Sequence, residues 1–279
     1  MASGSVARYA RDVNDDGSLL VSNDGFVRTM TLNHPERLNA LTAKIGRNLL
    51  DELASATDDD TVRVVVLTGA GRAFCSGIDI TPGTEALMSA NPTQQELIDD
   101  LGWIGHSFLA MRRECDKPII AAINGPAVGA GLALAMACDV RIAARSALLA
   151  PGYLGIGAPP DGGLSITLIE AIGRERAFRL LVDSRTLTAD EAVVLGLLSE
   201  VVDDSDFAER VTAYARSLAA RPPLALRLTK RSLNRAVEDS TESTLRGEIA
   251  GVILAFSTDD ARTARKARRG GTVGDYVGR

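Results

Sequence analysis

Aromatic side chains are scarce in this 279-residue chain, at 4% of the sequence, which leaves no stacking platform for nucleic-acid bases. Basic residues are outnumbered, 31 Lys and Arg against 36 Asp and Glu, and a net charge of −5 argues against the basic face of a nucleic-acid binder. Cysteine is sparse and odd in number. Cys75, Cys115 and Cys138 have no CxxC or zinc-like spacing, which fits free thiols in a reducing compartment. Only two histidines occur, His34 in the turn NHPER and His106 within an expected helix, and both read as structural. No metal-ligand cluster and no nucleophile–base pair at Cys75 can be assembled from so few groups. No apolar run approaches the ~18 residues that span a bilayer. The opening MASGSVARYA lacks the apolar core of a signal peptide. A cytoplasmic protein without metal, membrane or nucleic-acid partner is expected.

Nucleotide and esterase motifs are missing too. Gly129 and Gly131 give GxG, but Leu134 stands where helix–strand packing wants a small residue, and no acidic residue follows about 20 positions on. There is no GxxxxGK[ST] loop and no GxSxG elbow.

What is present is a globular composition, 46% hydrophobic and 24% charged, in a chain long enough to bury a sizeable core. Residues 1–17 read as a loose tail. GSLLVSNDGFVRTMTLN reads as a hairpin turning around Asn23-Asp24-Gly25. Thr42 is placed to cap a helix with an Ile45, Leu49, Leu50, Leu53 stripe, and a second helix is expected from Thr93 through Leu97, Leu101, Ile104, Phe108 and Met111. VRVVVLTG (62–69) and PIIAAING (118–125) are continuous apolar runs of strand length, as in strands buried on both faces. The stretch 18–144 therefore reads β-β-α-β-α-β-α-β, an α/β fold. Helical patterns dominate after residue 164, broken by SEVV and by Arg221-Pro222-Pro223, and the last helix, capped at Thr258 or Asp259, carries the basic stripe ARTARKARR. That stripe reads as a solvated face whose end can meet a ligand phosphate. The expected organisation is a tail (1–17), a core (18–204) and a helical C-terminal region (205–279).

Two glycine turns each follow a strand: GAGRAFCSGID (69–79) and NGPAVGAG (124–131), the second opening a helix. Small residues let a ligand approach the backbone, and a helix N-terminus offers free N–H groups. Side by side, two such turns can aim two donors at one carbonyl oxygen. Ordinary turn-making is the alternative reading of each alone.

Taken together, LNHPERLNAL (32–41), VRVVVLTGAGRAFCSGIDI (62–80), KPIIAAINGPAVGAGLALAMACDVRIAA (117–144), GIGAPPDGG and LTADEAVVLGLLSEVV (187–202) resemble the enoyl-CoA hydratase/isomerase, or crotonase, superfamily over residues 18–268. The resemblance implies a spiral of ββα units with a helical C-terminal trimerisation region, assembled as a homotrimer or dimer of trimers. It implies an acyl-CoA thioester as substrate, with coenzyme A part of the substrate and no separate cofactor. The backbone N–H groups of Ser76 and Ala130 are then the expected oxyanion donors. Arg37, Leu38, Ala40, Gly77, Ile78, Asp79 and Gly131 are expected along the CoA channel, with Arg37 near the adenine or phosphates. The stretch TPGTEALMSANPTQQ (81–95) is expected to contribute to the acyl pocket.

The departures from the family pattern narrow the chemistry. Where its hydratases carry two glutamates, this sequence has Ala133 and Gly152. What remains is Asp161 in PGYLGIGAPPDGG (151–163), at a position where several isomerases of the family place a catalytic aspartate. Leu154, Ile156 and Ala158 are its expected apolar neighbours, whose desolvation would raise an aspartate from its reference of ~3.9. The alternative for Asp161 is an N-cap on the following helix. Tyr153 is a second polar candidate. The expected activity is double-bond migration, from a 3-enoyl to a 2-enoyl thioester, with Asp161 as proton carrier. A hydratase or hydrolase using Asp161 to direct water, and a catalytically silent thioester binder, stay open as alternatives.

Overall fold

The structure, a computed structural model, describes residues 17–81, 99, 101–235, 237 and 241–272. Most of the expected tail, the 81–95 stretch beyond Thr81, and Thr93 and Leu97 of the expected second helix lie outside them.

The expected hairpin is present, one step later than the sequence placed it. Strand β1 (Leu19–Asp24) pairs antiparallel with β2 (Val27–Leu32), Asp24 facing Val27, so Gly25 and Phe26 form the turn. From β2 the sheet continues in parallel through β3 (Val64–Gly69), β4 (Ile119–Ile123), β6 (Val140–Ala144) and β9 (Glu200–Val202). A smaller sheet holds β5 (Ala127–Val128), β7 (Leu148–Ala150) and β8 (Leu187–Thr188).

The strand sequences explain the two-sided burial. On β3 and β4, Val65, Leu67, Ile119, Ala121 and Ile123 face the main core. Their neighbours Val64, Val66, Ile120 and Ala122 face a second one, closed by Val211, Ala215 and Ala219. Alternation of side chains along a strand thus makes Val64–Leu67 and Ile119–Ile123 apolar throughout.

Helix α1 (Ala43–Asp58) begins at Thr42, whose hydroxyl accepts the Ile45 N–H at 3.3 Å, and it buries the expected stripe. Helix α2 (Gly102–Leu109) buries Ile104 and Phe108 and ends in a π-turn over Ala110–Glu114. Helix α3 (Ala130–Ala137) opens directly from the second glycine turn. The expected helix from Leu164 to Val182 is two, α4 (Leu164–Ile172) and α5 (Arg174–Val182), because Gly173 takes φ +75° between them. Helix α6 (Ala189–Leu195) starts with a Thr188–Glu191 capping box. It is followed by α7 (Phe207–Ala219), which covers the second core, α8 (Pro223–Arg235), α9 (Thr241–Phe256) and α10 (Asp259–Gly270). Thr258 caps α10, accepting from the Ala261 N–H at 3.1 Å.

One carboxylate of the fold opposes its own stability. Burial, reinforced by Glu52 and offset by Arg47, raises Asp51 on α1 to about 6. A carboxyl raised in the folded state binds protons more tightly there, so its cost is absent at low pH and grows as pH rises from 3.8 through about 6. Asp51→Asn is expected to raise the melting temperature at pH 7 to 8, by about 1 kcal/mol of stability after solvent screening. The same substitution should have no effect near pH 3.5, and equal gains at both pH values would refute the assignment.

Candidate active site

The two glycine turns meet. Gly131 faces the Cys75 backbone so closely that an added Cβ would lie 2.3 Å from the Cys75 oxygen. Gly77 faces Val128 in the same way, its Cβ position 2.7 Å from the Val128 oxygen and 3.5 Å from the Ala130 nitrogen. A Cys75–Ala127 bridge ties the turns together, with the Val128 N–H donating to Cys75 O at 2.9 Å.

This packing decides which N–H groups remain for a ligand. The Ser76 N–H donates to Leu38 O at 2.9 Å, and the Asp79 N–H donates to Leu41 O at 2.9 Å. Ser76 is therefore corrected: its amide is committed inside the protein, and its hydroxyl bonds Arg37 O. The Leu41–Ile78 bridge turns the intervening Ile78 N–H to the other side, where Ile78 lines the cavity. Ala130, the first residue of α3, also lines it, with its N–H among the unpaired donors of a helix start. Ile78 and Ala130 thus line the cavity one from each turn, and strand alternation at Ile78 and the helix start at Ala130 suit both amides to face it.

The cavity has a volume of about 480 Å³. Arg37, Leu38, Ala40, Ser76, Gly77, Ile78, Asp79, Ala130, Tyr153 and Asp161 all line it. Gly131 does not; it stands behind the wall, against Cys75. Leu154 is also corrected, being 48% exposed, whereas Ile156 and Ala158 do line the cavity.

Asp161 is only 3% exposed, and its Oδ1 accepts the Tyr153 hydroxyl at 2.8 Å. The loop between them is closed by Tyr153 itself, whose carbonyl accepts the N–H groups of Ile156 and Ala158. Gly163, two residues beyond Asp161, occupies the N-cap position of α4. The other carboxylates on the wall are engaged. Asp79 is buried, which raises a carboxyl, yet hydrogen bonds from Thr81 and the Arg37 guanidinium hold it below the usual range. Glu36 pairs with His34 at 3.0 Å. Cys75 is unsuited to attack, since burial pushes its thiol up to about 12. His106 lies 3.0 Å from the Asp99 carboxylate.

These donors and the buried Asp161 carboxylate share one cavity wall. Residues 23–269 match the enoyl-CoA hydratase/isomerase family. The chain belongs to that family. The relatives of this family member differ in reaction. It is 36% identical over 258 residues to the probable enoyl-CoA hydratase EchA12 of Mycobacterium tuberculosis, covering 87% of each chain. It is 37% identical over 223 residues to the 1,2-epoxyphenylacetyl-CoA isomerase of Escherichia coli, covering 78% of this chain and 82% of the relative. It is 33% identical over 242 residues to an Arthrobacter 4-chlorobenzoyl coenzyme A dehalogenase, covering 87% of each. A solved enoyl-CoA hydratase/isomerase from Pseudoalteromonas atlantica superposes with a TM-score of 0.84 at 26% identity, over 93% of this chain and all of the other. The family member has the crotonase fold.

The sequence did not single out Arg72, Val252, Phe256 and Arg268, which also line the cavity. Helix α10 reaches it by packing on the 154–157 turn, where the Cβ position of Gly157 is 2.8 Å from Ala261 Cα. The one signal for Arg268 was the basic stripe of α10, whose exposed end stands at this mouth. Arg37 spends its Nη1 on Asp79 and Thr81. Among the described residues no helix is long and apolar enough to cross a membrane.

Proposed function

We propose that the protein is a cytoplasmic acyl-CoA isomerase that moves a carbon–carbon double bond through a thioester enolate. The carrying observation is Asp161, a buried carboxylate on the same cavity wall as the Ile78 and Ala130 amides. Asp161 removes a proton from C2 of a 3-enoyl thioester, the negative charge moves onto the thioester oxygen, and the proton returns at C4 to give the conjugated 2-enoyl product. The two amides hold the oxyanion, each donor being worth about 3 kcal/mol in the transition state. Coenzyme A is part of the substrate and no other cofactor is required. The exposed guanidinium groups of Arg72 and Arg268 meet its phosphates at the mouth, where Arg–phosphate pairing is strong. Ala133 and Gly152 bring no carboxylate for activating water, which places isomerisation ahead of hydration. The three free, buried cysteines suit a reducing compartment.

The test is incubation with a 3-enoyl-CoA, followed by ultraviolet absorbance and mass. Conjugated product of unchanged mass supports isomerisation. A gain of one water makes the protein a hydratase, free acid a hydrolase, and tight binding with no turnover of any enoyl thioester a silent binder.

Self-assembly into trimers, or pairs of trimers, completes the proposal, and the build of α8 supports it. In that helix Arg227 and Arg231 each bond the buried Asp116 at 2.8 Å, and Lys230 bonds Asp139 at 2.8 Å. Two of its leucines point outward, Leu224 at 66% and Leu233 at 67% exposure. Apolar area left this way favours burial by about 25 cal/mol per Å². Leu224→Glu with Leu233→Glu is expected to lower the mass measured by light scattering toward that of one chain, with the circular dichroism unchanged. An unchanged mass would place the subunit contacts elsewhere.

A further inference from the structure

We propose that Tyr153 is a positioning residue for Asp161, holding its carboxylate in place and in the charged, proton-accepting form. The proposal rests on the reading of Asp161 as the reacting carboxylate.

A buried carboxylate without a donor favours its neutral form, because burial removes the water that would stabilise the charge. Asp161 is nearly as sealed as any residue of the core, and so is Tyr153, at 5% exposure. Among the described residues, the neighbouring helices turn apolar side chains toward this loop. Helices α2 and α3 present Ile104, Phe108 and Ala133 to Gly162 and Gly163, and α9 presents Val252 and Phe256 to the cavity. Among the described residues, the other charged groups on the cavity wall are Glu36, Arg37, Arg72, Asp79 and Arg268. Of these, Glu36 is paired with His34 and Arg37 with Asp79, while Arg72 and Arg268 stand at the exposed mouth. The Tyr153 hydroxyl, 2.8 Å from Oδ1, supplies a donor inside that apolar surround. A phenol is suited to this: it donates strongly and stays protonated near neutrality.

Geometry adds a second effect. The Tyr153 carbonyl closes the turn on Ile156 and Ala158, so backbone and side chain of one residue brace the loop eight positions ahead of the carboxylate. The hydrogen bond fixes the rotation of the Asp161 carboxylate relative to that loop. A base that must take a proton from one carbon and return it to another gains from being held, since small misplacement costs rate steeply.

The experiment compares the wild-type protein with Tyr153→Phe, which keeps the ring and deletes the donor. The Asp161 carboxyl is followed by 13C NMR in protein labelled at the aspartate side-chain carbon, its signal assigned by its loss in Asp161→Asn. Loss of a hydrogen bond to a charged group is expected to move the Asp161 midpoint upward by about one to two pH units. With a thioester that turns over, the acidic limb of the kcat profile is expected to move by the same amount. At neutral pH kcat should fall roughly 10- to 100-fold, with KM little changed. A purely structural tyrosine would change the melting temperature and leave the midpoint and the limb in place, and that result overturns the proposal. If Tyr153→Phe does not fold, replacing all tyrosines by 3-fluorotyrosine makes the donor stronger and is expected to move the Asp161 midpoint downward. An unmoved midpoint there also overturns it. A moved midpoint in a protein that isomerises no thioester supports the pairing and sinks the isomerase reading. An unmoved midpoint alongside turnover that depends on Asp161 does the reverse.

Discussion

Asp161→Asn is expected to lower kcat for 3-enoyl to 2-enoyl conversion by about 10²- to 10⁴-fold, the range contributed by a positioned acid–base group. Asparagine has nearly the same shape, and its amide oxygen can still accept the Tyr153 hydroxyl that now meets Oδ1. It cannot take a proton. The loss therefore isolates proton transfer from packing, and KM should change little if, as proposed, backbone amides hold the thioester oxygen. The fold should tolerate the change, since a buried polar group keeps its hydrogen-bond partner. The measurement is initial rate by absorbance of the conjugated thioester, at equal folded fraction judged by circular dichroism. A variant that retains wild-type kcat would remove Asp161 from the reaction. Asp79 is the control carboxylate on the same wall: it is tied to Arg37 and Thr81, so Asp79→Asn should act on binding and stability through that pair.

Most of the sheet was legible in the sequence for a physical reason. A strand buried on both faces has no polar residue to spare, so VRVVVLTG and PIIAAING declared themselves. The Thr42 and Thr258 caps are local, made within three residues, and local chemistry is legible in order along the chain. The identity of the first proposed oxyanion donor is not local. Cys75, Ser76, Gly77 and Ile78 all sit in one turn, and composition does not say which amide is spent. That depends on Leu38, which with Asn39 takes left-handed φ values of 53° and 56° and brings its carbonyl to Ser76. Arg268 and Phe256 escaped for the same reason at longer range, because only the folding back of α9 and α10 sets them beside residues 36–38 and 76–81. Leu154 was placed in the pocket by its apolar character, but the one-turn helix Leu154–Ile156 directs it to solvent and Ile156 to the cavity.

Gly131→Ala is expected to cost both stability and turnover, against the intrinsic preference of the helix it opens. Alanine is favoured over glycine inside a helix by up to about 1 kcal/mol, so propensity alone would predict a gain. Packing reverses the sign. The new Cβ would stand 2.3 Å from the Cys75 oxygen, 2.7 Å from its Cβ and 2.8 Å from its carbonyl carbon. These are mostly backbone atoms that no rotamer change can move, so α3 and the 75–78 turn must separate by about an ångström, with an overpacking cost of about 1 to 3 kcal/mol. The Ile78 and Ala130 amides belong to those two segments, and in the proposed reaction separating them would weaken their joint grip on one oxygen. Removing one such donor costs about 10²- to 10³-fold in kcat, and a loss approaching that range is expected here. Gly46→Ala provides the comparison, since its Cβ would strike the Trp103 ring, 2.1 Å away at its nearest atom, and neither residue is among those lining this cavity. That variant should lose stability while keeping kcat for the folded fraction. If the two variants lose turnover only in proportion to their unfolding, the contact between the turns holds the fold together and has no part in aiming the donors.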